Sequence, residues 1–490
     1  MQANAGRDST PREMPTSLCR APASVDAQRM TAAMMPLERR SKAWKAAIDA
    51  MDGELTEDIL AEQFIDALTL GAWEDAEEDP ASVFRFVSSK WYEWDGKCWG
   101  EERTLRIFDR IRAFLRDKSD SKSQRRLGSA VTVAAVEELA RSDRRCATLP
   151  EAFDSDPLLL NTGGGIVDLR TGTVRPHNPR ALMSKISPAR VGGPCSRWHE
   201  FLKQVTDGDD QLAAYLQRFA GYALTGSTCE HVLFFFHGSG GNGKGVLLGI
   251  LAAVMGGYAT VAPIEAFTES RGDRHPTELA MLQGARLVTA QETEQGRAWA
   301  ESKIKSLTGG DLISARWMRG DFFTFKPQFK LAIAGNHRPV LKTVDEAIRR
   351  RLHLIPFTVT VPPSKRDPML SQVLMTEAAG ILEWMIEGCL HWQDGGLRPP
   401  ARVLEATEDY FEAQDAFGQW FEDSCERAAN GWELPGALFA SWKAWADKTS
   451  EPVGTQRSFG DRLEAAGFLR ARSNGIRMHR GLHLRDRHWQ

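Results

Sequence analysis

No stretch of this sequence is both long and apolar enough to cross a bilayer as a helix, so no membrane role is expected. The opening stretch, "MQANAGRDSTPREMPTSLCR", is polar and has no apolar core for export. Cysteines are few and scattered, at Cys19, Cys98, Cys146, Cys195, Cys229, Cys389 and Cys425, and no two stand in C-x-x-C spacing. Neither a zinc ribbon nor a disulfide framework is supported, and a reducing cytoplasm is the simplest compartment. Strong net charge is missing too. The 62 Lys and Arg against 65 Asp and Glu leave −3 at pH 7, so any nucleic-acid surface has to be local. Internal repeats are absent. What remains is a globular composition, 42% hydrophobic and 26% charged over 490 residues, enough for roughly two to four domains.

Residues 1 to about 40 show no period and read as a mobile tail. Helical spacing follows at Trp44, Ile48 and Met51, ending at Gly53, and "ELTEDILAEQFIDALTL" reads as a second short helix. "SVFRFVSSKWYEWDGKCWG" crowds aromatics around an Asp95-Gly96 turn, as a hairpin does. A helix with Leu105, Phe108, Ile111 and Leu115 on one face comes next, then two short strands around the glycines of "LLLNTGGGIVDLRTGTVRPHNP". Residues 196–230 read as helical, as does 367–392.

The stretch "FFFHGSGGNGKG" runs from an apolar strand into a glycine cluster and then the helix "VLLGILAAVM". Gly238, Gly240, Gly241 and Gly243 allow backbone turns other residues resist, so that N–H groups close around phosphate oxygens. Ser239, Asn242, Gly245 and Val246 complete the candidate cradle, and Lys244 sits where the helix dipole already favours anions. The pattern is the G-x-x-x-x-G-K phosphate loop, except that Gly245 stands where a Ser or Thr hydroxyl would hold Mg²⁺. Water can replace that ligand.

Three further elements follow in order. In "GARLVTAQETEQG" an apolar strand ends at Glu292 and Glu294, where carboxylates project into the crevice of an α/β sheet. Glu292 is the candidate metal and water-orienting acid, and Glu294 its support. "KLAIAGNHRPV" is another buried strand ending at Asn336, an amide able to touch a terminal phosphate and the attacking water. "DEAIRRRLHLIPF" carries Arg349, Arg350 and Arg351, about 100° apart on a helix. One can therefore pack at home while another reaches a neighbouring subunit.

Between the acids and Asn336 lies a helix with Lys303 and Lys305, a Gly309-Gly310 break, and a hairpin with strands at 312–318 and 322–325 and a tip at Arg319-Gly320-Asp321. Arg316, Arg319, Lys326 and Lys330 cluster there with Trp317 and Phe322, while Phe323 and Phe325 are expected to face the core. Cations with interleaved aromatics suit single-stranded nucleic acid. Near the end, Phe459, Leu463 and Phe468 form an apolar set, and Gly475 and Gly481 punctuate two arginine-rich strands. That is the outline of a winged helix able to grip duplex phosphates.

Phosphate loop, paired acids, basic hairpin, Asn-x-x-Pro and arginines, in this order, resemble a superfamily 3 helicase of AAA+ type. The likeness is to the phage and plasmid primase-helicases related to the poxvirus primase-helicase. "GGNGKG", "LTGGDLISARWM", "FFTFKPQFKLAIAGNHRP" and "RRRLHLIPF" resemble family blocks, and upstream so do "KWYEWDGKCW", "LLNTGGGIVDLRTG" and "YLQRFAGYALTG". The resemblance covers about residues 75–490 and implies an α/β AAA+ P-loop motor with a parallel sheet, preceded by a mixed α+β accessory domain and followed by a winged-helix-like domain. The expected boundaries are 1–74 tail and short helices, 75–192 accessory domain, 193–230 helical collar, 231–395 motor and 396–490 winged-helix-like unit.

By the same resemblance the chain is an ATP-dependent DNA helicase of phage or plasmid replication in a bacterial host. It forms a hexameric ring that draws one strand of a fork through its channel in the 3′→5′ direction. ATP and Mg²⁺ are the implied cofactors. Lys244 and Gly243 take the phosphate role, Glu292 the metal role with Glu294 behind it, and Asn336 the sensor role. Arg350 is the finger acting on a neighbour, with Arg351 second, and Lys305, Arg316, Arg319 and Lys326 contact DNA. No primase domain is evident in the first 75 residues, so the chain is read as a helicase and not a primase, with a separate primase or other replication proteins as candidate partners and the docking of a primase left open. Two other readings stay open. One is a DNA-binding replication factor that binds nucleotide but hydrolyses it poorly because of Gly245; the other is a different P-loop DNA motor.

Overall fold

The computed structural model describes residues 55–70, 83–269, 277–291, 298–341, 345–449, 451, 453–473 and 475–485. The expected helix at 41–53 lies outside them. Among the described residues no helix is long and apolar enough to cross a membrane.

The first unit packs α1 (Glu57–Leu70) against a sheet of β1 (Phe84–Val87), β2 (Lys90–Trp94) and β3 (Trp99–Glu101), with α2 (Arg106–Lys118), α3 (Gln124–Leu127) and α4 (Ala130–Ser142). Leu60, Phe64 and Ile65 of α1 share one core with Phe84, Trp91, Ile111 and Val136. The expected boundary at residue 75 is therefore too late, because α1 supplies apolar surface that this small sheet needs. Leu105 is also corrected. It precedes α2 with φ 60° and is exposed, and Ile107 takes the inward position beside Ile111 and Leu115. Three strands, not two, follow: β4 (Leu159–Thr162), β5 (Gly165–Asp168) and β6 (Thr173–Arg175).

The collar is two helices, α5 (Ser196–Val205) and α6 (Asp210–Leu224). Then comes β7 (Leu233–His237), α7 (Lys244–Met255), β8 (Ala259–Val261), α8 (Thr277–Ala280), β9 (Leu287–Gln291) and α9 (Glu301–Gly309). The hairpin strands β10 (Ile313–Arg316) and β11 (Phe322–Phe325) lead into β12 (Lys330–Gly335), α10 (Glu346–Arg349) and β13 (Leu352–Pro356). Five of these strands form one parallel sheet in the order β13-β7-β12-β9-β8. Both faces are covered, which is why β7 reads as a continuous apolar run. Phe234 and Phe236 face one core with the collar, while Leu233 and Phe235 face the other.

Past the sheet, the expected single helix at 367–392 is two, α11 (Leu370–Thr376) and α12 (Ala378–Gly395). The next helix, α13 (Ala401–Gln414), buries Tyr410 and Phe411 against the parallel sheet. It belongs with the motor, so the boundary at 396 is also too early. The last unit consists of α14 (Ala416–Ser424), β14 (Cys425–Glu433), α15 (Pro435–Thr449), α16 (Gln456–Ala465), β15 (Arg470–Ser473) and β16 (Ile476–Leu484), with sheet order β14-β16-β15. Phe459, Leu463 and Phe468 join Trp420 and Trp442 in its core. Gly475 has φ 80° and precedes β16, but Gly481 lies inside β16, with the Phe468 ring against it.

Two buried cations tie the collar to the sheet. Arg286 sits just before β9, with its guanidinium donating to the carbonyls of Leu224 (2.7 Å) and Leu159 (2.8 Å) and lying 4.5 Å from the Tyr258 ring centre. Lys330 opens β12 and donates to the carbonyls of Thr225, Ser227 (3.2 Å) and Gln328 (3.3 Å), against the Tyr222 ring. Carbonyls at the end of α6 carry the negative pole of the helix dipole and need donors. This corrects the reading of Lys330 as part of a surface cluster: it is fully enclosed, and burial pushes its ammonium pKa well down. Arg286→Met leaves two buried carbonyls without donors, at about 1–3 kcal/mol each. Thermal unfolding is expected several degrees lower, with faster proteolysis between β6 and β7; an unchanged melting temperature would refute this account.

Candidate functional site

The carboxyl ends of β7, β12 and β13 lie side by side, with Gly335 and Pro356 both in register with His237. In parallel α/β sheets this edge is where ligands bind. The glycine loop leaves β7 here and enters α7 through Gly243, at φ 86°. Gly243 has no room for a side chain, since a Cβ would lie 2.5 Å from Val205 and 3.1 Å from Phe201 of the collar. The collar therefore packs directly on the loop.

Lys244 is 6% exposed, and its ammonium donates to Gly238 O (2.8 Å), Asn242 Oδ1 (2.9 Å) and Asn336 Oδ1 (3.2 Å). Residues 92 apart in sequence thus meet at one nitrogen. Burial lowers the Lys244 pKa. Asn242 is held in place by its Nδ2, which donates to Phe357 O at 2.9 Å. Burial, with Arg338 and Lys244 nearby, pushes His237 down to about 4, so it is neutral at pH 7. The loop mouth thus places the Lys244 ammonium at the start of α7, with Arg338 near His237, and a helix start beside a cation suits a polyphosphate.

Glu292 and Glu294 lie outside the described residues; β9 ends at Gln291, beside Ala334 of β12. Among the described residues no three His, Cys, Asp or Glu side chains converge to hold a metal ion. A Cβ on Gly245 would meet nothing within 4 Å, so the missing hydroxyl reflects residue choice, not crowding.

Only Arg349 lies in α10; Arg350 is its C-cap and Arg351 follows in a turn, and the three side chains take different surroundings. Arg349 pairs with Glu408 at 2.6 Å and lies over Phe411. Arg351 is half-buried and donates to Ala347 O at 2.7 Å. Arg350 is exposed, and its side chain has no partner among the described residues. All three precede β13, and Arg351 O accepts from Leu233 N at 2.6 Å where β7 begins. They sit at the opposite edge of the sheet from the glycine loop, about 16 Å away for strands of five residues.

The hairpin β10–β11 re-enters the sheet through β12 at that opposite edge. Phe325 is buried and Phe323 packs on the core, as expected. Trp317, Met318 and Phe322 are exposed at 49%, 71% and 64%, around a tip where Arg319 has φ 61°. Arg316 lies 4.9 Å from the Phe322 ring centre, and Lys326 is exposed. Lys305 differs from the other three basic candidates: it is paired with Asp345 at 2.5 Å, which caps α10. The sequence reading missed Arg366, whose guanidinium lies against Gly241. No local signal marks it, because it lies far along the chain from the loop.

Two family descriptions match the chain: "D5 N terminal like" over residues 82–207, and a family of unknown function, DUF5906, over residues 236–351. The chain is 26% identical over 303 residues to "Putative helicase L207/L206" of Acanthamoeba polyphaga mimivirus, covering 57% of this chain and 32% of that protein. It is 24% identical over 330 residues to "Putative helicase 022R" of Frog virus 3 (isolate Goorha), covering 63% of this chain and 32% of that protein. The chain thus spans about a third of the length of these curated relatives. Among solved structures, the apo NrS-1 C terminal region is a distant likeness at 11% identity, with 81% of this chain and 94% of that one covered at a TM-score of 0.47. The chain thus carries a D5 N-terminal-like region leading into a DUF5906 region, and it is similar to viral proteins named as putative helicases.

Proposed function

We propose that the chain is an ATP-driven, ring-forming DNA helicase of replication, built on an AAA+ P-loop motor. The observation that carries this reading is the meeting of Lys244, Asn242 and Asn336 at the mouth of the glycine loop. It is a cage of oxygens around one ammonium, which the oxygens of a triphosphate can replace. The loop N–H groups bind the phosphates, Lys244 neutralises their charge, and Asn336 senses the terminal one and orients water. Mg²⁺, held chiefly by phosphate oxygens and water with Glu292, supplies further charge neutralisation. Arg350, at the far edge of its own sheet, serves the pocket of the next subunit. The exposed Trp317, Met318 and Phe322, with Arg316, Arg319 and Lys326, give single-stranded DNA both stacking faces and phosphate contacts. The last unit has the helix and strand order of a winged helix, with Arg457, Arg462, Arg472 and Arg477 exposed to meet duplex phosphates.

The test is hydrolysis and unwinding together. ATP turnover should rise with single-stranded DNA, and a forked duplex should be separated. Trp317→Ala should weaken single-strand binding by about 1–3 kcal/mol, roughly 5- to 150-fold, and uncouple turnover from unwinding. Turnover that ignores DNA and separates no fork would reject the helicase reading.

A further inference from the structure

The site residues read from the sequence for this pocket include no arginine of the same subunit. The chain brings one to it from the segment after β13. Phe357 N donates to His237 O at 2.7 Å, and Val361 N donates to Gly241 O at 2.9 Å, so the backbone from 357 to 361 runs along the glycine loop. Ser239 Oγ and Thr360 Oγ1 lie 3.3 Å apart on the same track. After a short 3₁₀ turn (Pro363–Lys365), Arg366 folds back and its Nε donates to Val361 O at 2.9 Å. A Cβ on Gly241, whose φ is 64°, would lie 2.2 Å from Arg366 Nη2 and 2.8 Å from Cζ. The guanidinium thus fills the space where Gly241 has no side chain.

An arginine that only braces a loop is expected to spend its donors on protein acceptors. A guanidinium has five N–H bonds in a fixed fork, suited to pairs of phosphate oxygens. Here one nitrogen, Nε, is anchored, and neither Nη has a hydrogen-bond acceptor among the described residues. Arg366 is exposed and pairs with no carboxylate among them. Its charge also stands beside a mouth that already holds Lys244 and, on the β12 side, Arg338. Gathering like charges around one loop is unfavourable unless an anion occupies the middle. His237, held neutral in the same cluster, fits that electrostatic picture.

We propose that Arg366 is a second phosphate-binding cation of the same subunit, gripping the polyphosphate of a nucleoside triphosphate at the loop mouth, opposite Lys244. The inference rests on the nucleotide reading of the loop given above. It divides the arginine work between two residues: Arg366 binds within the subunit, and Arg350 acts across the interface.

Equilibrium binding of ATP by the full chain with Mg²⁺, over a series of salt concentrations, tests it. Arg366→Gln should weaken binding about 10- to 100-fold, the worth of a charge-assisted hydrogen bond, with a shallower salt dependence. Arg366→Lys, which restores charge without the fork, should recover part of the affinity and most of the salt dependence. The melting temperature without nucleotide should stay within about two degrees of the unmodified chain, since the side chain is exposed. Equal affinity in Arg366→Gln, or equal losses in both variants with an unaltered salt dependence, would overturn the proposal and leave Arg366 a mere brace. If the unmodified chain itself binds no ATP, it is the nucleotide reading of the loop that fails, and this inference falls with it.

Discussion

Lys244→Ala is expected to lower ATP turnover by about 10²–10³-fold or more, the scale of losing a preorganised charge contact to the reacting group. The structure separates this chemical loss from unfolding. Lys244 makes three hydrogen bonds through its ammonium, to Gly238 O, Asn242 Oδ1 and Asn336 Oδ1. Removing it frees acceptors at the loop mouth, where water reaches the exposed Asn336. Asn242 keeps its bond to Phe357 O, and α7 keeps its apolar face through Leu247, Leu248 and Leu251. The melting temperature should therefore move by no more than a few degrees. Phosphate release at saturating ATP and single-stranded DNA measures the effect. A variant that turns over within about twofold of the unmodified chain would mean that the glycine loop is not the site of hydrolysis.

Arg350→Ala should produce the second large loss, about 10³–10⁵-fold in turnover, with ATP binding nearly unchanged. Arg350 stands before β13 and the glycine loop follows β7, its parallel neighbour. One strand length, about 16 Å, separates the two within one subunit, farther than an arginine side chain reaches, so the guanidinium is proposed to act on another copy. Mixing gives a sharp check. Arg350→Ala subunits keep an intact loop, and Lys244→Ala subunits keep an intact Arg350. A mixed ring contains interfaces with one intact half from each, so combining two inactive proteins should restore part of the turnover. If the mixture stays inactive while each protein assembles, or if Arg350→Ala alone is fully active, the cross-subunit role is wrong. Arg351 is a weak second candidate on this geometry, because its Nη1 is spent on Ala347 O.

Several elements were legible before any fold was known because their signals are local. A glycine cluster between an apolar strand and a helix needs only a few residues to be recognised, and β7, the loop and α7 lie where that pattern puts them. The hairpin was legible for the same reason, including the inward turn of Phe325. Misreadings came where a residue's partner lies far away. Lys330 looks like one more surface cation in its stretch of sequence, but the end of α6 supplies carbonyls that enclose it. Lys305, grouped by sequence with the basic hairpin, has a distant partner too, since it pairs with Asp345. Residues 396–414 were read as part of the C-terminal unit, because an amphipathic helix does not announce which core it joins.

By itself, the sequence determined the chemistry available: a glycine-rich loop ending in a lysine, an amide at a strand end, three consecutive arginines and a hairpin of cations and aromatics. Those depend on neighbours along the chain, and the backbone fixes their geometry locally. Only the tertiary structure decided which cation does what. Arg349 is spent on Glu408, Arg350 is left exposed at the far edge, Lys330 and Arg286 are buried as caps for a helix end, and Arg366 is laid over Gly241. A positive charge has no fixed role until the fold sets the distance to its nearest oxygen and the water around it, and neither is written in the residue or its neighbours.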